Sequence, residues 1–167
     1  MNTDPRQLDI RTVQMILSHL TQELREQVPE GQRAAVQSEE EARQAVATLL
    51  QETRTASVSP AELALSDEQA DVAARETLSL LLNDPETEPK VRALLAHLPT
   101  DSQLSVELAY SSAIVLGMLI TWLQTKLDLK VQRKDGRVDF EFNLRKDAAS
   151  STLLTTVANT VKKAFFL

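Results

Sequence analysis

The chain has 167 residues, 43% hydrophobic and 25% charged, with two histidines, three glycines, no cysteine and a net charge of −6. That length suits one domain or two small ones around a real core, and the apolar fraction is too high for a disordered chain. Without cysteine there is no disulfide, Cys-ligated zinc, iron–sulfur cluster or thiol nucleophile, and three glycines are too few for most phosphate-cradling loops.

The first predicted element is a helix over about 5–28. Asp4 is a good N-cap, Pro5 takes the first helical position, and Gln7 completes a capping-box spacing. Val13, Ile16, Leu17, Leu20, Leu24 and Val28 then recur at three and four, one face of a helix, before Pro29-Glu30-Gly31 ends it. A second helix, about 39–53, starts after Ser38 with Glu39, Glu40 and Glu41 in its first turn, where negative charge meets the helix dipole favourably. Its apolar side is Ala42, Ala45, Val46, Leu49 and Leu50. Thr53 to Pro60 reads as a linker, and Ala61 to Leu65 as one helical turn.

Ser66-Asp67-Glu68-Gln69 is a second capping box and opens a helix over about 67–82, which Asn83-Asp84-Pro85 breaks. A short helix over about 89–98 follows, with Val91, Leu94, Leu95 and Leu98 on one side and Pro99 as its stop. Leu104 to Leu127 is one long helical stretch without proline. Past it, Leu129 and Val131, then Val138, Phe140, Phe142 and Leu144, alternate with polar residues on either side of Asp135-Gly136. Period two flanking an Asp-Gly pair predicts a hairpin. A closing helix follows, capped by Asp147 or Ser150, with Leu153, Leu154, Val157, Val161 and Phe165 on one face. The expected fold class is α+β, mostly α: an acidic helical bundle over 1–100, then an αββα unit with an antiparallel hairpin over 101–167.

Charge is unevenly spread. Residues 1–100 hold 9 Lys and Arg against 17 Asp and Glu, a net of −8; residues 101–167 hold 9 against 7, a net of +2. An acidic total argues against nucleic acid, whose binding rests on cations against phosphates; the acidic half reads as a solvated surface or, more sharply, as an acidic face for a basic partner. Met1-Asn2-Thr3-Asp4-Pro5 has neither a basic nor an apolar leader region; with the absence of cysteine, this leads to a cytoplasmic expectation.

Leu108 to Thr125 carries no charge, a length at the lower limit of a membrane span, but Tyr110, Ser111, Ser112, Thr121, Gln124 and Thr125 dilute it. A helix apolar all round is more often the spine of a core. Within it Ala109, Ala113 and Gly117 lie four apart, with Thr121 and Thr125 continuing the row; along it another helix can approach closely, either the closing helix or the N-terminal bundle of this chain or a helix of a partner. Trp122, the single tryptophan, serves either as core or as an interface anchor; Phe165-Phe166-Leu167 docks on its own core or on a partner. His19 reads as a surface histidine without a ligand-spaced neighbour, and His97 as a helix C-terminal cap. No Gly-x-Ser-x-Gly elbow, EF-hand, P-loop or dinucleotide fingerprint occurs.

From Ala113 to Lys163, about a third of the chain, the sequence resembles the effector-associated constant component of prokaryotic conflict systems. Thr121-Trp122-Leu123, the run Leu129-Lys130-Val131-Gln132-Arg133-Lys134-Asp135-Gly136-Arg137-Val138, the alternating second strand and the closing helix carry the resemblance. It implies an accessory module encoded beside effectors such as proteases or nucleotide-dependent switches. The resulting expectation is a non-enzymatic adaptor or regulatory subunit that binds a protein partner or a second copy of itself. Its candidate interface is Ala109, Ala113, Gly117, Trp122, Phe165, Phe166 and Leu167. No catalytic, metal or cofactor site and no small-molecule substrate is expected. The alternative is a membrane-associated protein using 108–125 or the Phe-Phe-Leu tail.

Overall fold

A computed structural model of the chain describes residues 4–28, 39–52, 59, 65–98, 111–126, 128–135 and 137–143, with isolated helical positions at 155, 156, 159 and 163. Among the described residues, a 3-10 turn, Pro5–Gln7, precedes the α-helices α1 (Ile10–Gln27), α2 (Glu39–Glu52), α3 (Asp67–Asn83), α4 (Glu88–Ala96) and α5 (Ser111–Lys126).

Where α1 begins differs from the sequence expectation. Asp4 does cap, its carboxylate accepting from the Arg6 N–H at 3.0 Å, but what it caps is the 3-10 turn. Leu8 and Asp9 are then extended, and α1 opens at Ile10 behind Asp9, whose side chain makes no capping bond. Thereafter the stripe behaves as its spacing demands: Val13, Ile16, Leu17, Leu20, Leu24 and Val28 are all buried. In α3 the capping box closes in both directions, Gln69 N–H donating to Ser66 Oγ at 3.3 Å and Ser66 N–H to Gln69 Oε1 at 2.9 Å. The buried face of α3 is mostly small (Ala70, Ala73, Ala74 and Thr77, then Leu78 and Leu81), so a neighbouring helix can come close. In α4 Val91 is buried and Leu94 and Leu95 are partly so, whereas Leu98, read from the sequence as part of that face, lies beyond the helix and is 45% exposed.

The centre of the molecule is α5. Met118, Leu119, Ile120, Thr121 and Trp122 are five successive buried residues. At 3.6 residues per turn such a run covers the whole circumference. α1, α2 and α3 all pack against this helix, and α1 also meets α3 and α4. One hydrophobic cluster results, drawing on α1, α2, α3, α4 and α5, and so joining residues from both sides of position 100.

The α+β class, with its N-terminal bundle followed by an αββα unit, is corrected by this arrangement: the described protein is a helical bundle, and no αββα unit is shown. The physical reason lies in α5, which packs against α1, α2 and α3 and so belongs to the bundle. A helix buried over its whole circumference has no second face for water, and here other helices surround it. Backbone segments Asp128–Lys134 and Arg137–Asn143 run antiparallel, with Val131 opposite Phe140, around Asp135 at φ 53°. Leu153, Leu154, Val157, Val161 and Phe165 of the expected closing helix lie outside the described residues, as do the expected turn Ala61–Ala64 and most of the 53–60 linker.

Candidate interaction site

Of the residues expected at an interface, Trp122 and Gly117 have described surroundings, and α5 places them differently. Trp122 is among the largest fully buried side chains. Its indole N–H donates to Asp84 Oδ2 at 3.3 Å, so the polar edge of the ring is satisfied inside this chain. Asp84 ends α3. Its carbonyl accepts from the N–H groups of Thr87 and Glu88 at 3.2 and 2.8 Å, forming the corner into α4. The Thr87 hydroxyl, buried at that corner, has one proton to share between the Leu81 carbonyl at 2.6 Å and Asp84 Oδ2 at 3.0 Å. Trp122 therefore pins α5 to the α3–α4 corner.

Gly117 lies one residue before the fully buried run, yet is only half-buried. Among the described residues, no heavy atom beyond its chain neighbours and the local helix backbone lies within 4 Å of where a Cβ on Gly117 would stand. The central helix thus has an opening at its least bulky position, where its backbone can be approached. Farther along the same row Thr121 is buried, and Thr125 bonds back to the Trp122 carbonyl at 2.6 Å. Ala113 belongs to α5 but its side chain lies outside the described residues, as do Ala109, Phe165, Phe166 and Leu167 altogether.

Both histidines are placed. His97 is the C-cap residue of α4, its N–H donating to the Ala93 carbonyl at 3.1 Å. His19 is not the surface histidine its register suggests: it is half-buried, and its Nε2 is shielded from solvent without a hydrogen-bond partner. Two residues beyond it, the Thr21 hydroxyl shares its proton between the Leu17 carbonyl at 2.7 Å and the Met118 sulfur at 3.1 Å, a polar link from α1 to α5. No cluster of three or more His, Cys, Asp or Glu able to hold a metal occurs among the described residues, nor does any helix long and apolar enough to cross a membrane.

Several cations of the acidic half are engaged within the chain. Lys90 reaches Glu23 at 3.3 Å, joining α4 to α1, and Arg92 pairs with Glu88 one turn earlier at 2.8 Å. Arg75 of α3 sends one guanidinium nitrogen to the carbonyls of Pro5, Arg6 and Leu8, at 2.8, 3.2 and 2.7 Å. One turn before it, the Asp71 carboxyl is held above its ordinary value; burial is the largest cause, attraction to Arg75 works against it, and repulsion from Asp67 adds to it. Asp4, Asp9, Glu23, Glu26, Glu40, Asp67, Glu68 and Glu86 are exposed around these contacts.

No protein family, curated protein or solved structure matches this chain.

Sequence reasoning missed Arg75 and Asp84. Arg75 binds carbonyl oxygens, which every residue carries, so nothing in the identities of Pro5, Arg6 or Leu8 marks them as its acceptors. Asp84 was legible only as a helix breaker beside Pro85. Its indole partner is 38 positions away, beyond the reach of any local spacing rule.

Proposed function

We propose that this chain is a non-enzymatic adaptor or regulatory subunit that works through protein–protein contact. The observation that carries this reading is the opening at Gly117, on a helix whose next five residues are buried all round. Glycine in a helix interior costs about 0.5–1 kcal/mol relative to alanine. With room for a methyl group here, that cost is not offset by close packing among the described residues. An element from another molecule that approaches the α5 backbone supplies the missing reason. The charge pattern points the same way: residues 1–100 carry a net of −8, which favours a basic partner through long-range attraction. The resemblance of Ala113 to Lys163 to an effector-associated module suggests a bacterial defence or signalling system as the setting.

The test is purification of the tagged chain from its native host, beside a Gly117→Leu variant. The reading expects a defined companion, another protein or a second copy, that is retained by the parent and lost by the variant while helical content by circular dichroism is unchanged. A compact monomer that retains nothing contradicts it. A companion retained equally by Gly117→Leu removes Gly117 as the contact.

A further inference from the structure

We propose that the turn formed by Pro5–Leu8 is a strap that opens as a unit, independently of the helical bundle, and that Arg75 is its polar latch. Three observations converge on it. First, the turn's internal bonds are local: Gln7 N–H to the Asp4 carbonyl at 2.9 Å, Leu8 N–H to the Pro5 carbonyl at 3.4 Å, and Arg6 N–H to the Asp4 carboxylate. None of its residues is fully buried; Leu8 rests on the core from outside, partly covered.

Second, a joint separates it from α1. Leu8 and Asp9 are both extended, with ψ of 146° and 139°, and Asp9 gives α1 no side-chain cap. The helical hydrogen-bond ladder therefore does not run from the turn into α1, and motion on one side is not transmitted to the other as it is within a helix.

Third, the latch is a single point. One Arg75 nitrogen faces three carbonyls, while a guanidinium NH2 carries two protons, so the bonds are shared and their partners are backbone oxygens that water can also satisfy. A charge-assisted donor holds such oxygens well, but loss of that one side chain releases all three together. When the strap lifts, Arg75 loses these acceptors and the edge of the core beneath Leu8 meets water.

Hydrogen exchange of the full chain tests this in two ways. In the parent protein, exchange at the Arg6, Gln7 and Leu8 amides should be insensitive to low concentrations of urea. Amides from Ile16 to Leu24 and from Ala74 to Leu81 should accelerate with urea, because they exchange through larger opening. A shared urea dependence overturns the independent strap without need of any variant. In Arg75→Met the strap amides should exchange about tenfold faster or more with α1 unchanged, and Arg75→Lys should recover part of that protection. Equal rates in parent and Arg75→Met, no recovery in Arg75→Lys, or acceleration spreading through α1 and α3 each contradicts the latch.

Discussion

Two helices of this protein are buried by different rules. In α1, the apolar buried positions recur at three and four along the stripe Val13, Ile16, Leu17, Leu20 and Leu24, and the helix's other positions include exposed Arg11, Gln22, Glu23 and Arg25. In α5, burial runs without a break from Met118 to Trp122. An amphipathic helix states in its sequence which side faces the core. A helix apolar all round states only that it is inside, and leaves its neighbours to be decided by the rest of the chain. The apolar stretch reads both as the spine of a core and as the first helix of an αββα unit, and α1, α2 and α3 pack against it as they would against a spine.

The largest effect that sharpens this contrast is expected at Trp122. Trp122→Ala should cost about 3–5 kcal/mol in urea unfolding, the range for removing a large buried aromatic. A loss below about 1 kcal/mol would place the ring at a surface instead. Replacing Gln22 of α1 by alanine, on that helix's exposed side, should stay within about 0.5 kcal/mol of the parent.

Smaller is the loss expected for Ser66→Ala, about 1 kcal/mol, because Ser66 Oγ accepts from the Gln69 N–H, whereas the backbone N–H at 66 still donates to the Gln69 side chain. Gly117→Ala should reverse the sign of the α5 effects and stabilise by about 0.5–1 kcal/mol, since a methyl group there meets no described atom within 4 Å. Thermal melting of the purified protein reads both.

The smallest effect concerns pH. Burial raises the Asp71 carboxyl above its ordinary value of 3.8, so the folded state favours the protonated acid. The stability this contributes is complete below about pH 3.8 and is lost as pH rises through the raised value. Asp71→Asn should therefore be modestly more stable than the parent at neutral pH, with the difference vanishing in acid. A parent that gains relative to Asp71→Asn as pH rises would mean that attraction to Arg75 outweighs burial.

Local chemistry was the most legible part of the chain. The Ser66–Gln69 box, the α1 stripe and the break at Asp84-Pro85 all rest on contacts between residues a few positions apart. Asp4 shows the limit of even that reading: its capping bond forms, but Leu8 goes extended and turns the first helix into a strap and a later start at Ile10. The candidate site was half legible. Gly117 stood out as glycine inside an apolar helix, whereas whether Trp122 faced a partner or the core depended on Asp84, a carboxylate that no spacing rule connects to it. Arg75 was illegible because its acceptors are backbone.

Among the described residues, α5 is buried around its circumference over 118–122 and is open at Gly117. Unfolding free energies of single alanine variants at Met118, Leu119, Ile120 and Trp122, measured in urea beside Gly117→Ala, test it most directly. A substantial loss is expected at all four side chains and a gain at Gly117. Losses at only one or two of them, with silent positions between as on a one-sided helix, would contradict it.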